Sequence, residues 1–154
     1  GAFPMTSVII SMGIALGGIA QIIAGILEFK NKNTFAGTAF VAYGCFWFSL
    51  VMIVTWQESP LIESNAAMGA YLLVWGAFTI FMFIATLKHN MISKIVFGSL
   101  AVLFILLGIG DLAESEVITT IAGVVGIICG TSAIYSAVGQ IINEEFGKKV
   151  FPLI

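Results

Sequence analysis

Five long apolar runs, separated by short polar breaks, make up almost the whole chain. They cover roughly Met5 to Leu27, Phe35 to Trp56, Ala66 to Leu87, Ile92 to Gly110 and Val117 to Ile142. Each run reaches the roughly 20 residues that an α-helix, rising about 1.5 Å per residue, needs to cross the hydrocarbon of a bilayer. Ionised side chains occur only at the ends of the runs. No run alternates polar and apolar residues with period two, which argues against a membrane β-barrel. Lipid offers no partner for an open backbone group, so spanning segments must satisfy their own N–H and C=O groups as helices. The pattern predicts an all-α integral membrane protein with five transmembrane helices, forming one transmembrane domain over residues 1–154.

The breaks carry a second signal. All six lysines fall in three of them: Lys30 and Lys32, Lys88 and Lys94, and Lys148 and Lys149. The other two breaks are acidic, with Glu58 and Glu63 in one and Asp111, Glu114 and Glu116 in the other. Short loops rich in lysine stay on the cytoplasmic side. The expectation is therefore a multi-pass protein of the plasma membrane with its lysine-bearing loops and C-terminus in the cytoplasm. That topology puts Gly1 outside. The opening Gly1-Ala2-Phe3-Pro4 has no positive n-region and does not read as a signal peptide. An additional helix upstream would restore a cytoplasmic start, making these five helices part of a six-helix bundle whose first helix is missing. A true five-span chain with an external N-terminus is the alternative.

Composition narrows the function. At 60% hydrophobic and only 9% charged residues, the chain has far more apolar surface than a soluble domain of this size can hide. A net charge of −2, with few and scattered lysines, argues against a nucleic-acid partner. Cys45 and Cys129 both fall inside apolar runs and there is one histidine, His89, so neither a metal site nor a disulfide framework is expected. Both cysteines read as small packing residues. No nucleophile–base pair stands out, so the chain does not read as an enzyme and no cofactor is implied.

The stretch Gly17 to Trp47, GGIAQIIAGILEFKNKNTFAGTAFVAYGCFW, resembles the acetate uptake transporter family, also called the YaaH or succinate–acetate permease family. The likeness continues through Trp75-Gly76-Ala77-Phe78-Thr79, Phe97-Gly98-Ser99-Leu100 and Ile127 to Tyr135, and ends at Asn143-Glu144-Glu145-Phe146-Gly147. The family's opening Asn-Pro-Ala-Pro-Leu-Gly-Leu helix has no counterpart here. The resemblance implies six-helix protomers assembled as a homo-hexamer, each with a pore for acetate and related small monocarboxylates, and for succinate in some members. Passage would be proton-linked symport or channel-like. The resemblance further implies an apolar constriction of a first-helix aromatic, a tyrosine matching Tyr43 and a leucine matching Leu100. The first-helix aromatic cannot be matched. A membrane-anchor or scaffold subunit of a larger complex is the competing function.

A carboxylate crossing a bilayer must be hydrogen-bonded or protonated, because stripping it of water costs of order 20 kcal/mol in the idealised limit. No fixed positive charge lies within a span. Neutral donors do: Gln21, Thr38, Tyr43, Ser49, Thr79, Ser99, Thr131, Ser132, Tyr135 and Ser136. Such groups can hold an anion weakly enough to release it. Ser49, Thr79, Ser132 and Ser136 are expected to bond back to their own helices. Gln21 suits either a pore role or a polar latch between helices. Glu28 suits either a proton relay or an interfacial ion pair with Lys30 and Lys32. His89, beside Lys88, reads as interfacial. Asn33-Thr34 reads as an N-cap whose helix end could attract an acid headgroup near the entrance. Gly13-x-x-x-Gly17 and Gly126-x-x-x-Gly130 have the spacing that lets helix backbones approach closely.

Overall fold

The computed structural model describes residues 6–55 and 64–153. Among them, five helices are long and apolar enough to cross a membrane: α1 (Ser7–Lys30), α2 (Thr34–Thr55), α3 (Asn65–Lys88), α4 (Met91–Leu112) and α5 (Glu116–Glu145). The five expected runs are all present. Their helices extend a few residues beyond the apolar stretches, because hydrogen bonding continues to the next stop signal and not to the last apolar side chain. Met5, Trp56, Glu58 and Glu63 lie outside the described residues. The chain divides into two compact units, with α1 and α2 in the first and α3, α4 and α5 in the second.

In the first unit, α1 changes its winding. Ser7–Met12 is α-helical, Gly13–Ala20 is π-helical and Gln21–Lys30 returns to the α form. A π segment is rare and lengthens the hydrogen-bond step to five residues. This one contains Gly13, Gly17 and Gly18, and α2 packs against it through aromatic rings. A Cβ at Gly17 would lie 2.6 Å from Trp47 Cγ, so the indole lies directly on the backbone there. Further along, a Cβ at Gly25 would meet the Val41 backbone nitrogen at 2.8 Å. α1 ends in a Schellman turn. Lys32 adopts φ 60°, its N–H bonds Phe29 O at 3.0 Å, and Asn33 N–H bonds Glu28 O at 2.9 Å.

In the second unit α4 packs against both α3 and α5. Each helix starts on a side-chain cap. Ser64 Oγ accepts from Ala67 N at 3.1 Å, Asn90 Oδ1 from Ser93 N at 3.0 Å, and Ser115 Oγ from Ile118 N at 3.5 Å. α3 and α4 cross backbone to backbone. A Cβ at Gly69 would lie 2.8 Å from Gly108 O, and one at Gly108 would lie 3.0 Å from Gly69 O. α4 ends as α1 does. Glu114 has φ 49°, with Glu114 N–H bonding Asp111 O at 3.3 Å and Ser115 N–H bonding Gly110 O at 2.9 Å.

α5 is 30 residues long, about 45 Å, so it outreaches a hydrocarbon layer of about 30 Å. After Glu145 the chain reverses at Gly147, which has φ 60°. The tail then runs back along the helix. Asn143 fixes it with three bonds: Oδ1 accepts from Val150 N at 2.7 Å and Phe151 N at 2.8 Å, and Nδ2 donates to Phe151 O at 2.8 Å. Tyr135 OH donates to Pro152 O at 2.9 Å, and its ring lies 5.9 Å from that of Phe151. Leu153 is close enough to Gly139 that a Cβ there would lie 2.8 Å from Leu153 Cδ2.

Outward faces are apolar, as lipid contact requires: Val74 is 69% exposed, Phe81 71% and Ile127 71%. The small-residue spacings meet different fates. Gly13 and Gly17 both meet Trp47, whereas on α5 only Gly126 approaches another helix, at Leu103. Among the described residues nothing lies within 4 Å of a Cβ at Gly130, so that half of the second spacing makes no helix contact there.

Candidate functional site

The seven candidate residues fall into two groups. Gln21, Glu28, Asn33, Thr34 and Tyr43 belong to the first unit; Ser99 and Leu100 belong to the second. In the first unit, Gly44 of α2 faces Ile22 and Gly18 of α1. Gln21 and Tyr43, each one residue from that contact, therefore sit at one level of the helix pair. Gln21 opens the α-helical part that follows the π segment and is half-buried. Tyr43 is buried, at 6% exposure.

Nearer the end of α1, Asn33 makes two different bonds. Its Oδ1 accepts from Ala36 N at 3.2 Å, which is the expected N-cap of α2, with Thr34 as the first helical residue. Its Nδ2 donates to Glu28 Oε2 at 2.7 Å. Glu28 is thus held by the capping amide in place of the lysine pairing expected from sequence. The geometry explains the exchange. Lys30 stands two residues from Glu28, a spacing that does not share a helix face. Lys32 lies in the left-handed turn beyond the last helical residue, while Asn33 is carried back over the helix end by its bond to Glu28 O. The resulting arrangement is a neutral amide joining a carboxylate to a helix N-terminus, a donor set suited to holding negative charge.

In the second unit, Ser99 Oγ donates to Ile95 O at 2.6 Å and lies 3.1 Å from Val96 O. Cys129 of α5 donates its thiol to Val96 O at 3.5 Å and neighbours the Ser99 hydroxyl. The Ser99 proton is committed to its own helix, so towards a ligand this hydroxyl offers lone pairs unless it rotates. Leu100, half-buried, is turned about 100° from Ser99 around α4.

The other span hydroxyls behave as their chemistry predicts. Ser49 bonds Phe46 O at 2.9 Å, Thr79 bonds Trp75 O at 2.7 Å, and Ser132 bonds Cys129 O at 2.7 Å. Ser136 accepts from Gln140 on the same helix at 3.1 Å. Tyr135, included among the neutral donors, instead fastens the tail. Cys45 is exposed, not packed as expected, whereas Cys129 is buried; both are free thiols. The described residues contain no group of His, Cys, Asp and Glu that could hold a metal. Sequence reasoning missed Thr86, which is fully buried and bonded to Phe83 O at 2.6 Å, and Asn143 as a clip for the tail. An asparagine one turn before a glycine reversal was the available signal for the second.

Comparison with known proteins places this arrangement. The structure of a bacterial acetate channel, SatP, superimposes with a TM-score of 0.95 at 49% sequence identity, covering 99% of this chain and 85% of that one. The succinate-acetate/proton symporter SatP of Escherichia coli strain K12 is 49% identical over 155 residues, which is 99% of this chain and 82% of the symporter. Ammonia transport outward protein 2 of Saccharomyces cerevisiae is 34% identical over 149 residues, 90% of this chain and 52% of the yeast protein. Residues 3–153 match the GPR1/FUN34/yaaH family. With the five spans, the glycine-mediated helix contacts and nearly the full length accounted for, the chain belongs to the GPR1/FUN34/yaaH family.

Proposed function

We propose that this protein carries acetate and related small carboxylates, with succinate among them, across the plasma membrane by proton-linked or channel-like passage. The observation that carries the reading is near-complete overlap, at 49% identity, with a protein described as an acetate channel and another described as a succinate-acetate/proton symporter. The chemistry of the spans supports it. Their polar groups are neutral hydroxyls and amides, bonded locally, which can be lent to a passing carboxylate at the cost of one modest hydrogen bond, about 0.5–1.5 kcal/mol net. A buried lysine would hold the anion far more strongly. Tyr43 and Leu100 form the apolar constriction in this reading, Gln21 and Ser99 line the approach, and Glu28 with Asn33 and Thr34 forms the entrance or takes up the proton.

In the same reading the five helices are part of a six-helix bundle, a single transport domain, and the protomers assemble as a homo-hexamer. The lysine-bearing loops and the C-terminus face the cytoplasm. Support for the sixth helix comes from the charge segregation and from relatives that extend beyond the matched region.

The test is uptake of labelled acetate into liposomes carrying the full-length protein, with Leu100→Ala alongside. A size-selective constriction predicts that Leu100→Ala raises the lactate-to-acetate uptake ratio at matched protein level. A packing leucine would instead cost about 2–5 kcal/mol of stability and lower every substrate alike. An unchanged ratio in well-folded variant protein removes Leu100 from the constriction, and absence of acetate uptake by the parent removes the transport reading.

A further inference from the structure

The face that α1 turns to α2 is one that an unbroken α-helix could not present. Gly18, Ile22 and Gly25 all point at α2: a Cβ at Gly18 would lie 2.9 Å from Phe48 Cε2, Ile22 meets Gly44, and a Cβ at Gly25 would lie 2.7 Å from Val41 Cγ2. Their spacings of four and seven residues belong to one α-helical face. Gly13 points at α2 as well, since a Cβ there would lie 3.2 Å from Trp47 Cε3 and 3.4 Å from Val51 Cγ2. Yet Gly13 stands five residues before Gly18. At 3.6 residues per turn, five residues would turn Gly13 about 140° away from the Gly18 face, whereas Ile14, four residues before, would come within about 40° of it. Gly13 reaches α2 because Gly13–Ala20 is wound with the wider π step.

Both ends of the π segment show hydrogen bonds that change step. Gly13 N–H is shared between Ile9 O and Ile10 O, and Gln21 N–H bonds Gly18 O, only three residues back. Rewinding the segment to the α form moves each N–H from the carbonyl five residues back to the one four back, so it exchanges partners without leaving backbone groups open to lipid. The obstacle to rewinding is a side chain. Ile14 would enter the seat that Gly13 now holds, and the indole of Trp47 lies there, close against both Gly13 and Gly17. Trp47 is half-buried, with the Phe46 ring edge-on to it at 5.9 Å. The choice of winding is therefore tied to the position of one ring.

We infer that Gly13–Ala20 is a two-state winding switch with Trp47 as its wedge. In one state, π-wound, Gly13 sits under the indole. In the other, α-wound, Trp47 moves aside, Ile14 takes the seat, and Ser7–Met12 turns by about 100° and shifts by about 1.5 Å relative to Gln21–Lys30, one residue of helix. The turn exposes Ile10, now half-buried, and covers Ser11, now exposed. Packed interfaces of this kind have discrete alternatives and do not deform continuously, which makes the change a switch. The inference goes beyond the transport reading and does not rest on it, although Gln21, which that reading sets beside the path, is the first residue past the segment.

Disulfide trapping in the full chain, in membrane vesicles, reads the two windings directly. With Cys45→Ala and Cys129→Ala as background, Val51→Cys is paired in turn with Gly13→Cys, Ile14→Cys and Met12→Cys, and oxidised with copper phenanthroline. A Cβ at Gly13 is already within disulfide reach of Val51, while Met12, 51% exposed, points elsewhere and gives the baseline. The Gly13 pair should close fastest. The Ile14 pair should close about tenfold or more slowly, as a minor state does, yet faster than the Met12 pair. Equal rates for the Ile14 and Met12 pairs overturn the proposal, and this comparison needs no further variant to fold. Trp47→Ala should speed the Ile14 pair and slow the Gly13 pair; unchanged rates in a variant that elutes like the parent refute the wedge. Deleting Ala15 puts Gly13 four residues before Gly18, so plain α winding then seats Gly13 under Trp47. The Ile14 pair should fall to the Met12 baseline while the Gly13 pair still forms, and an Ile14 excess that survives the deletion refutes rewinding as its source.

Discussion

Replacing Gly69 with alanine tests the most demanding contact in the second unit. The added Cβ would lie 2.7 Å from Leu112 Cγ and 2.8 Å from the Gly108 carbonyl oxygen. The leucine can rotate away; the carbonyl is backbone about one turn from the end of α4 and cannot. A carbon and a carbonyl oxygen approach to about 3.3–3.6 Å at best, so α3 and α4 must separate by roughly 0.6 Å along their crossing. Overpacking of this kind costs about 1–3 kcal/mol. Alanine recovers about 1 kcal/mol of helix propensity, which leaves a net loss of up to about 2 kcal/mol. Gly123→Ala gains the same propensity with no described residue within 4 Å of its new methyl and should be neutral or slightly stabilising. Reversible unfolding of the detergent-solubilised proteins by sodium dodecyl sulfate measures both. If Gly69→Ala unfolds at the same mole fraction of dodecyl sulfate as the parent, or shifts no more than Gly123→Ala, the backbone crossing does not constrain this helix pair.

Lys32→Gly should stabilise the first unit by about 1 kcal/mol, because φ 60° strains a residue with a Cβ and suits glycine; an equal or lower unfolding midpoint counts against it. Asn33→Ala removes both the cap of α2 and the partner of Glu28, and should cost about 1–2 kcal/mol, whereas Asn33→Ser keeps a cap and should cost less. If the two variants unfold alike, the cap contributes nothing. Cysteines placed at residues 30, 88 and 148 should react with a membrane-impermeant maleimide from one side of oriented membranes, and those at 63 and 114 from the other. Labelling of 63 and 88 from the same side ends the charge-based topology.

The number and type of elements were readable because length and apolarity alone decide what can cross a bilayer. Caps were readable too: Asn33 stands where a short polar acceptor is needed, and it caps. The winding of α1 was not, because no side chain in Gly13–Ala20 announces a five-residue hydrogen-bond step; the close seat of Trp47 on Gly17 depends on long-range packing. Helix stops at Lys32 and Glu114 were hidden for a related reason. Left-handed residues usually advertise themselves as glycine, and here the turn hydrogen bonds impose the conformation on side chains that do not favour it. At the candidate site, the fate of most hydroxyls was legible, since a serine or threonine in lipid has its own carbonyls as nearest partners. The partner of Glu28 was not, because proximity in sequence gave Lys30 and Lys32 while the geometry of the turn delivered Asn33.

The brevity of the turns bears on how the protein is made. Residues 31–33 join α1 to α2, His89 and Asn90 join α3 to α4, and residues 113–115 join α4 to α5. Links of two or three residues span at most about 10 Å, far less than the bilayer. Once one helix of such a pair has crossed, the next cannot linger in the aqueous phase at any distance from it. The short links therefore tie the insertion of α2 to that of α1, and of α4 and α5 to that of α3.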